Sequence, residues 1–469
     1  MTEVILMFLT LIMRDIFPFF PGNFAQLSGL FILLGLVLQF LTKKKDLKLP
    51  ISPKILAFIC VLIMSQIIVM SYNFLKMNYG TIPFYFEKFI AFILFVILTF
   101  YFFYNLFESK TSFRRFIQGI YLSSVFLFFI LSAQFLFVTV GFCQPIVRFV
   151  GQFLELGWNQ PGLGNYAKGS SVETLFRLNG LDQEPAYLAA HLAIVFLPFA
   201  LAGILKKVNY FPRFKKAGFI FNWIVFLLAL FFLVVSKTTT GLILCGVAII
   251  AWILPFIYDR WFGLNGQQKV KLSVGIILGL AFSILLILKI TYLRDIFNYF
   301  LLKKLGSYVS AHGDMARSGG TIGLWRTFIH YPLFGVGDNF TAPFLLEFIP
   351  QYLRQTKFYL NTLLPERFFP VLSIILGLLA KYGLVIMSIV GIWWKNLWEF
   401  LQRRSSVMYQ QSVKKQISKN ESWENAIFPA FIFFTLFYLL SSIAAFSYNF
   451  PCYVFMLMFF VVYRSQEKG

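Results

Sequence analysis

The chain has 469 residues, 59% of them apolar and 13% charged, and its 41 Lys and Arg against 19 Asp and Glu give a formal net charge of +22. A soluble core is excluded, because several apolar runs approach the roughly twenty residues that cross about 30 Å of hydrocarbon as a helix. A membrane barrel is excluded too, because no period-two alternation runs through them, and helices are the spanning structure that remains.

About twelve spans are expected, near 4–20, 25–42, 54–72, 87–104, 117–141, 187–205, 217–236, 240–257, 272–290, 372–394, 425–444 and 449–463. Arg14 and Asp15 interrupt the first, and an arginine near mid-membrane costs about 2.5 to 3.5 kcal/mol, so this span is expected to be short or interfacial. No basic n-region and no small-residue cleavage site marks a signal peptide.

The basic clusters alternate along these spans: Lys43 to Lys45, Arg114 with Arg115, Lys206 with Lys207, Lys269 with Lys271, Arg403 with Arg404, and Arg464. Lysine and arginine are retained in short cytoplasmic loops, so all of these fall on one side and both termini are expected in the cytoplasm. Residues 141–185 and 291–371 then form two long loops on the outer side, and 395–424 a basic cytoplasmic loop that anchors at anionic headgroups. Cations spread over many short loops do not make the continuous stripe that nucleic acid requires. The four cysteines are far apart and match neither a zinc spacing nor a disulfide framework.

In the first outer loop, Arg177 and Glu184 flank a tight turn that contains Gly180, and Pro185 suits the first turn of the following helix. Glu184 is expected at that helix entrance, either as a helix-start acid or as part of a site. His191, seven residues on, falls near Glu184's face and reads equally as an interhelical or a functional histidine. The stretch Ser236 to Gly241 is a polar turn between spans. Read alone it is a hairpin, but Lys237 with its neighbouring hydroxyls also suits a phosphate.

The second outer loop is where catalysis is expected. Gly319, Gly323, Arg326 and His330 recur every three or four residues, so a helix there puts Arg326 and His330 on a face with two positions free of side chains. Arg317 precedes this stripe, and Pro332, Gly335 and Gly337 end the helix in a turn. Such a face suits a phosphate, which guanidinium binds bidentately; it also suits a helix lying on lipid headgroups. Lys381 sits inside an apolar span and must face the bundle interior, a cavity or the interface.

No Walker loop, HExxH, GxSxG, paired aspartates or cluster of intramembrane acids is present, so no cofactor and no metal is expected. An activated donor made elsewhere, with a diphosphate leaving group neutralised by arginines in place of magnesium, fits the residues that are there.

These motifs resemble the O-antigen polymerase and O-antigen ligase superfamily of bacterial envelope glycosyltransferases. The resemblance rests on Arg177 to Pro185, on Ser236 to Gly241, and on Arg317, Trp325, Arg326, His330, Pro332, Gly335 and Gly337. Two departures stand out: Lys237-Thr238 replaces the usual Ser-Arg, and Leu372-Ser373 stands where the family often has His-Asn. The resemblance implies an all-helical, GT-C-like bundle in the bacterial cytoplasmic membrane. Its activity would be a metal-independent polysaccharide polymerase acting on a polyprenyl-diphosphate-linked donor and a lipid-linked acceptor. Arg177, Arg317, Arg326 and Lys237 would hold the diphosphate, and Glu184 or His330 would take the hydroxyl proton, with His312 the other outer-loop histidine and His191 and Lys381 in second rank. A ligase that passes finished glycan to a lipid or protein is the near alternative, a flippase for lipid-linked sugars a more distant one. A flippase and a chain-length regulator are possible partners.

Overall fold

A computed structural model describes residues 32–37, 39–41, 53–77, 82–107, 109–154, 172–173, 176–182, 184–263, 314–354, 360, 373–414, 423–441 and 451–466. The described elements are helices and turns: α1 (Pro53–Met77), α2 (Ile82–Leu106), α3 (Lys110–Val140), α4 (Gln144–Leu154), α5 (Pro185–Leu205), α6 (Lys215–Val235), α7 (Thr239–Gly263), α8 (Asp314–His330), α9 (Thr341–Phe348), α10 (Ile374–Lys414), α11 (Ile427–Ser441) and α12 (Pro451–Gln466). Seven of the described helices are long and apolar enough to cross a membrane. The spans expected at 4–20 and 272–290 lie outside the described residues.

Burial separates the centre of the bundle from its rim. In α5, 94% of the apolar window is buried, whereas 17% is buried in Leu56–Lys76 of α1. A helix that is apolar all round belongs inside, and α5 is enclosed by α3, α6, α7, α11 and α12. On α1, Leu56, Met64, Ile68 and Leu75 are exposed, as lipid-facing side chains are. Within α5 the residues Leu192–Phe196 widen into a π turn, closed by Leu197 N–H bonding Leu192 O. Pro198 explains it locally, since it has no N–H for the carbonyl one turn back.

Phenylalanine makes much of the larger core. Phe107 stacks on Phe113 with centroids 4.5 Å apart, and Phe103 stacks on Phe107 at 5.3 Å. Phe459 meets Phe113 edge-on at 5.6 Å and stacks on Phe116 at 5.1 Å, so α2, α3 and α12 are held by interlocking rings. At the N-terminal end of α3, Lys110 pairs with buried Glu424 at 2.7 Å, while Arg114 Nε and Gln118 Nε2 donate to Tyr210 O at 3.0 and 2.7 Å. Burial pushes the Tyr210 phenol well above its ordinary range, and its hydroxyl donates to Phe199 O.

A second, smaller core joins Met70 of α1, Phe89 of α2, Phe344 of α9, and Tyr382 and Ile386 of α10, with Val336 and Phe340 from the segment after α8. Here α10 is broken: Gly383 has φ 70° and ψ −179°. The segment Pro332 to Gly337 lies across the break. Val336 N–H bonds Ala380 O at 2.8 Å and Gly337 N–H bonds Lys381 O at 3.0 Å. In return, Leu384 and Val385 N–H bond Pro332 O and Leu333 O at 2.7 and 3.1 Å. The backbone groups freed by the break are thereby satisfied by protein, the condition on which irregular chain is tolerated at membrane depth.

Within the stretch expected as an outer loop, 291–371, the described segment Pro332 to Gly337 is thus packed against α10. The stretch expected as a loop from 395 is helical through Lys414, the continuation of α10.

Candidate functional site

Two groups of the expected residues assemble, each on its own elements. The first forms where the chain after residue 176 turns down onto the bundle. Gly180, at φ 63°, makes the turn, and a Cβ there would be strained by that conformation and tightly placed, 3.1 Å from Leu188 and 3.2 Å from Leu127. Gln134 of α3 holds this turn with both ends of its amide: Nε2 donates to Gly180 O at 2.9 Å, and Oε1 accepts from Gly180 N–H at 2.9 Å. Asn179 Nδ2 closes the turn onto Asp182 O at 2.6 Å. Three residues ahead of the clamp, Arg177 Nη2 donates to the carbonyl of Lys237 at 2.6 Å.

Lys237 itself sits in the left-handed region, φ 53°. That conformation aims its carbonyl at Arg177 while α7 begins immediately after it. Thr238 caps α7, its Oγ1 accepting from Gly241 N–H at 2.8 Å. Lys237 is half-buried and its side chain makes no hydrogen bond or ion pair among the described residues, and the Thr239 hydroxyl is buried without a hydrogen bond. The Arg177 guanidinium is therefore held at the turn that leads into the N-terminus of a 25-residue helix, where Lys237 and Thr239 also lie. Chemically that place favours an anion with several oxygens, such as a phosphate.

Glu184 is at the entrance of α5, as expected, with Pro185 at the first helical position. Its side chain makes no cap hydrogen bond and is half-buried, which leaves the carboxylate available. His191 is fully buried: its Nδ1 lies 3.5 Å from Cys452 Sγ of α12, and its ring packs on Phe196. Asp182 is also fully buried.

The second group is on α8. The predicted helix exists, and Arg326 and His330 are exposed on it one turn apart. Gly323, however, is not open to a ligand. A Cβ at Gly323 would lie 2.8 Å from Leu345 and 3.2 Å from Ile349, so the missing side chain is what lets α9 pack closely on α8. Arg326 Nη1 reaches Phe348 O at 3.4 Å, and the His330 ring lies tilted against Phe348 with centroids 4.4 Å apart, so both residues cover the end of α9. His330 Nδ1 is 2.9 Å from Arg326 O. A carbonyl only accepts, so Nδ1 donates in this bond and Nε2 is the ring nitrogen left facing outward from it.

Arg177, Arg317 and Arg326 are expected as one set. Among the described residues, Arg177 is instead bonded to the Lys237 turn, and neither Arg326 nor His330 is bonded to that turn. Arg317 lies on α8 and its side chain is outside the described residues, as is the whole of His312. Lys381, expected to face the interior, does so: it is buried, with Nζ 2.7 Å from Asp338 Oδ1, and the Tyr382 hydroxyl donates to the same oxygen at 3.2 Å. Asp338, Gln134 and Cys452 were not singled out from sequence. Asp338 follows Pro-Leu-Phe-Gly-Val-Gly and resembles any turn acid, Gln134 sits in an apolar run, and neither carries a local spacing signal.

Fold and site together define a multi-pass helical membrane protein. Beyond that class, the chain matches no family model and no curated protein.

Proposed function

We propose that the protein is a polysaccharide polymerase of the O-antigen, capsule or exopolysaccharide kind, a twelve-span, GT-C-like glycosyltransferase on the outer face of the bacterial cytoplasmic membrane. It transfers a growing glycan from polyprenyl diphosphate to a lipid-linked repeat unit. The acceptor hydroxyl oxygen attacks the donor sugar C1, the bond from C1 to the diphosphate oxygen breaks, and polyprenyl diphosphate departs with the bonding pair.

The observation that carries this reading is the Arg177 guanidinium held on the Lys237 carbonyl at the N-terminus of α7. Negative charge developing on the leaving diphosphate meets two cations and aligned peptide N–H groups, which stabilise a transition state without metal. Glu184 at the α5 entrance, or His330 through Nε2, takes the hydroxyl proton. The aromatic interior and lipid-facing rim accommodate the polyprenyl chain.

The test is surface glycan resolved by length from a deletion strain that expresses Arg177→Ala or Lys237→Ala at wild-type level. Loss of the long ladder with single repeats retained supports the polymerase. Loss of all surface glycan with accumulation of lipid-linked polymer would make it a ligase, and an unchanged ladder would remove the anion site from the reaction.

A further inference from the structure

A second basic place lies at the other end of the bundle. The Arg177 to Lys237 group is near Gln134, whereas Lys110, 24 positions earlier on the same helix, pairs with Glu424 just ahead of α11. At about 1.5 Å per residue the two levels are about 36 Å apart, a full membrane crossing. Trp423 meets Tyr463 at that Lys110 end, and so fixes the level of the next residue, Arg464.

We propose that the cleft between α10 and α12 at this end binds the phosphate headgroup of an anionic membrane lipid. It has a volume of about 390 Å³. Asn396, Glu399, Phe400, Arg403 and Arg404 line it from α10, at a spacing of three and four that is one helical stripe, and Arg464 closes it from α12. Three guanidiniums against one carboxylate leave a formal excess of two positive charges (3 − 1 = 2). Glu399 is bonded to Arg403 at 3.1 Å and is 3.9 Å from Lys395, so it orients Arg403 while neutralising one of the three charges.

Depth and lining select a lipid. Trp393, Trp394 and Trp398 lie on the turns of α10 just before and beside the cleft, the level at which tryptophan marks the interface between hydrocarbon and headgroups. Trp394 and Trp398 pack on Phe431, which ties that level to α11. Phe400 gives the cleft an apolar wall, and Ile392 is exposed one to two turns toward the hydrocarbon, where acyl chains would lie. A basic pocket between helices at headgroup depth is the arrangement by which phospholipid phosphates are held. Guanidinium adds the planar fork that a phosphate's paired oxygens match.

The test uses the purified full-length protein in detergent and follows its thermal midpoint against dioctanoyl phosphatidylglycerol, dioctanoyl phosphatidylcholine and inorganic phosphate. The wild type is expected to be stabilised saturably by phosphatidylglycerol alone. Arg403→Gln with Arg464→Gln should weaken that response about tenfold or more. Lys206→Gln with Lys207→Gln, exposed residues at the same end, should leave it unchanged. Equal binding by the arginine variant overturns the proposal, as does equal loss in the lysine variant, which would mean general attraction to headgroups. Stabilisation by inorganic phosphate at the same concentrations would make the cleft a site for a free anion. If the double variant does not fold, Arg464→Lys keeps the charge without the fork; it should bind several-fold more weakly, and an unchanged affinity counts against the site.

Discussion

Lys381 of α10 and Asp338 of the segment after α8 form a buried ion pair, Nζ to Oδ1 2.7 Å, beside the point where α10 breaks. The Tyr382 hydroxyl shares the carboxylate, and Asn73 of α1 donates to Val336 O at 2.7 Å, so one short segment is tied to two helices by polar contacts. Removing one partner leaves the other charged and buried. Asp338→Asn or Lys381→Met should each destabilise the protein by about 3 to 5 kcal/mol, read as a lower thermal midpoint in detergent. The exchange Asp338→Lys with Lys381→Asp should regain part of the loss. If the exchange is as unstable as the worse single variant, the pair is not the source of the stability.

The glycines around the same break behave differently from a glycine in regular helix. A Cβ at Gly383 would clash with the Leu333 carbonyl, and one at Gly335 with the Lys381 carbonyl, and both have positive φ. Gly383→Ala and Gly335→Ala should therefore undock the segment and cost more than about 1 kcal/mol each. Gly391, farther along α10, has nothing within 4 Å of its Cβ position. Gly391→Ala should be neutral or stabilising by up to about 1 kcal/mol, since alanine favours helix. Thermal midpoints of the three variants, compared side by side, decide it.

Gln134 positions Arg177 without touching it. Gln134→Leu would leave the Gly180 N–H and C=O buried without their partner, at about 1 to 3 kcal/mol for each group. We expect lower stability together with loss of polymer length in the ladder assay, because the turn that carries Arg177 loses its anchor. Normal ladders from a destabilised Gln134→Leu protein would separate this turn from the reaction.

Arg177, at the turn before α7, should depend on both its charge and its shape. Arg177→Ala is expected to reduce polymer formation about 100-fold or more. Arg177→Lys keeps charge but loses the planar fork that reaches the Lys237 carbonyl, and should recover only a fraction of the rate. In vitro extension of a lipid-linked repeat by purified protein, at matched protein levels, gives both numbers.

His330 separates chemistry from stability. It is exposed, so His330→Gln should change the thermal midpoint little, while a general-base role predicts a rate loss of about 100-fold or more. If Glu184→Gln shows that loss and His330→Gln does not, the proton goes to Glu184.

Much of the architecture was legible along the chain because the bilayer imposes it locally. A run of about twenty apolar residues must be a helix wherever it is buried in hydrocarbon, so α3, α5 and α6 are found at their expected places. Caps and turns are also local: Pro185 starts α5, and the polar turn at Ser236 to Gly241 holds the cap of α7. For the same reason Glu184 is found at a helix entrance and Lys381 inside the bundle. Residue spacing on α8 correctly aligned Arg326 with His330, but spacing cannot tell a glycine that admits a ligand from one that admits α9.

Tertiary structure alone decided which distant residues meet. Arg177 lies 60 positions from the carbonyl that holds it, and Asp338 lies 43 from Lys381. No period or propensity encodes such pairs, because they are selected by the cost of leaving a buried polar group unpaired in a medium without water. The break at Gly383 follows the same rule: the segment after α8 supplies the hydrogen bonds that α10 gives up, so the break is stable only once that segment has docked.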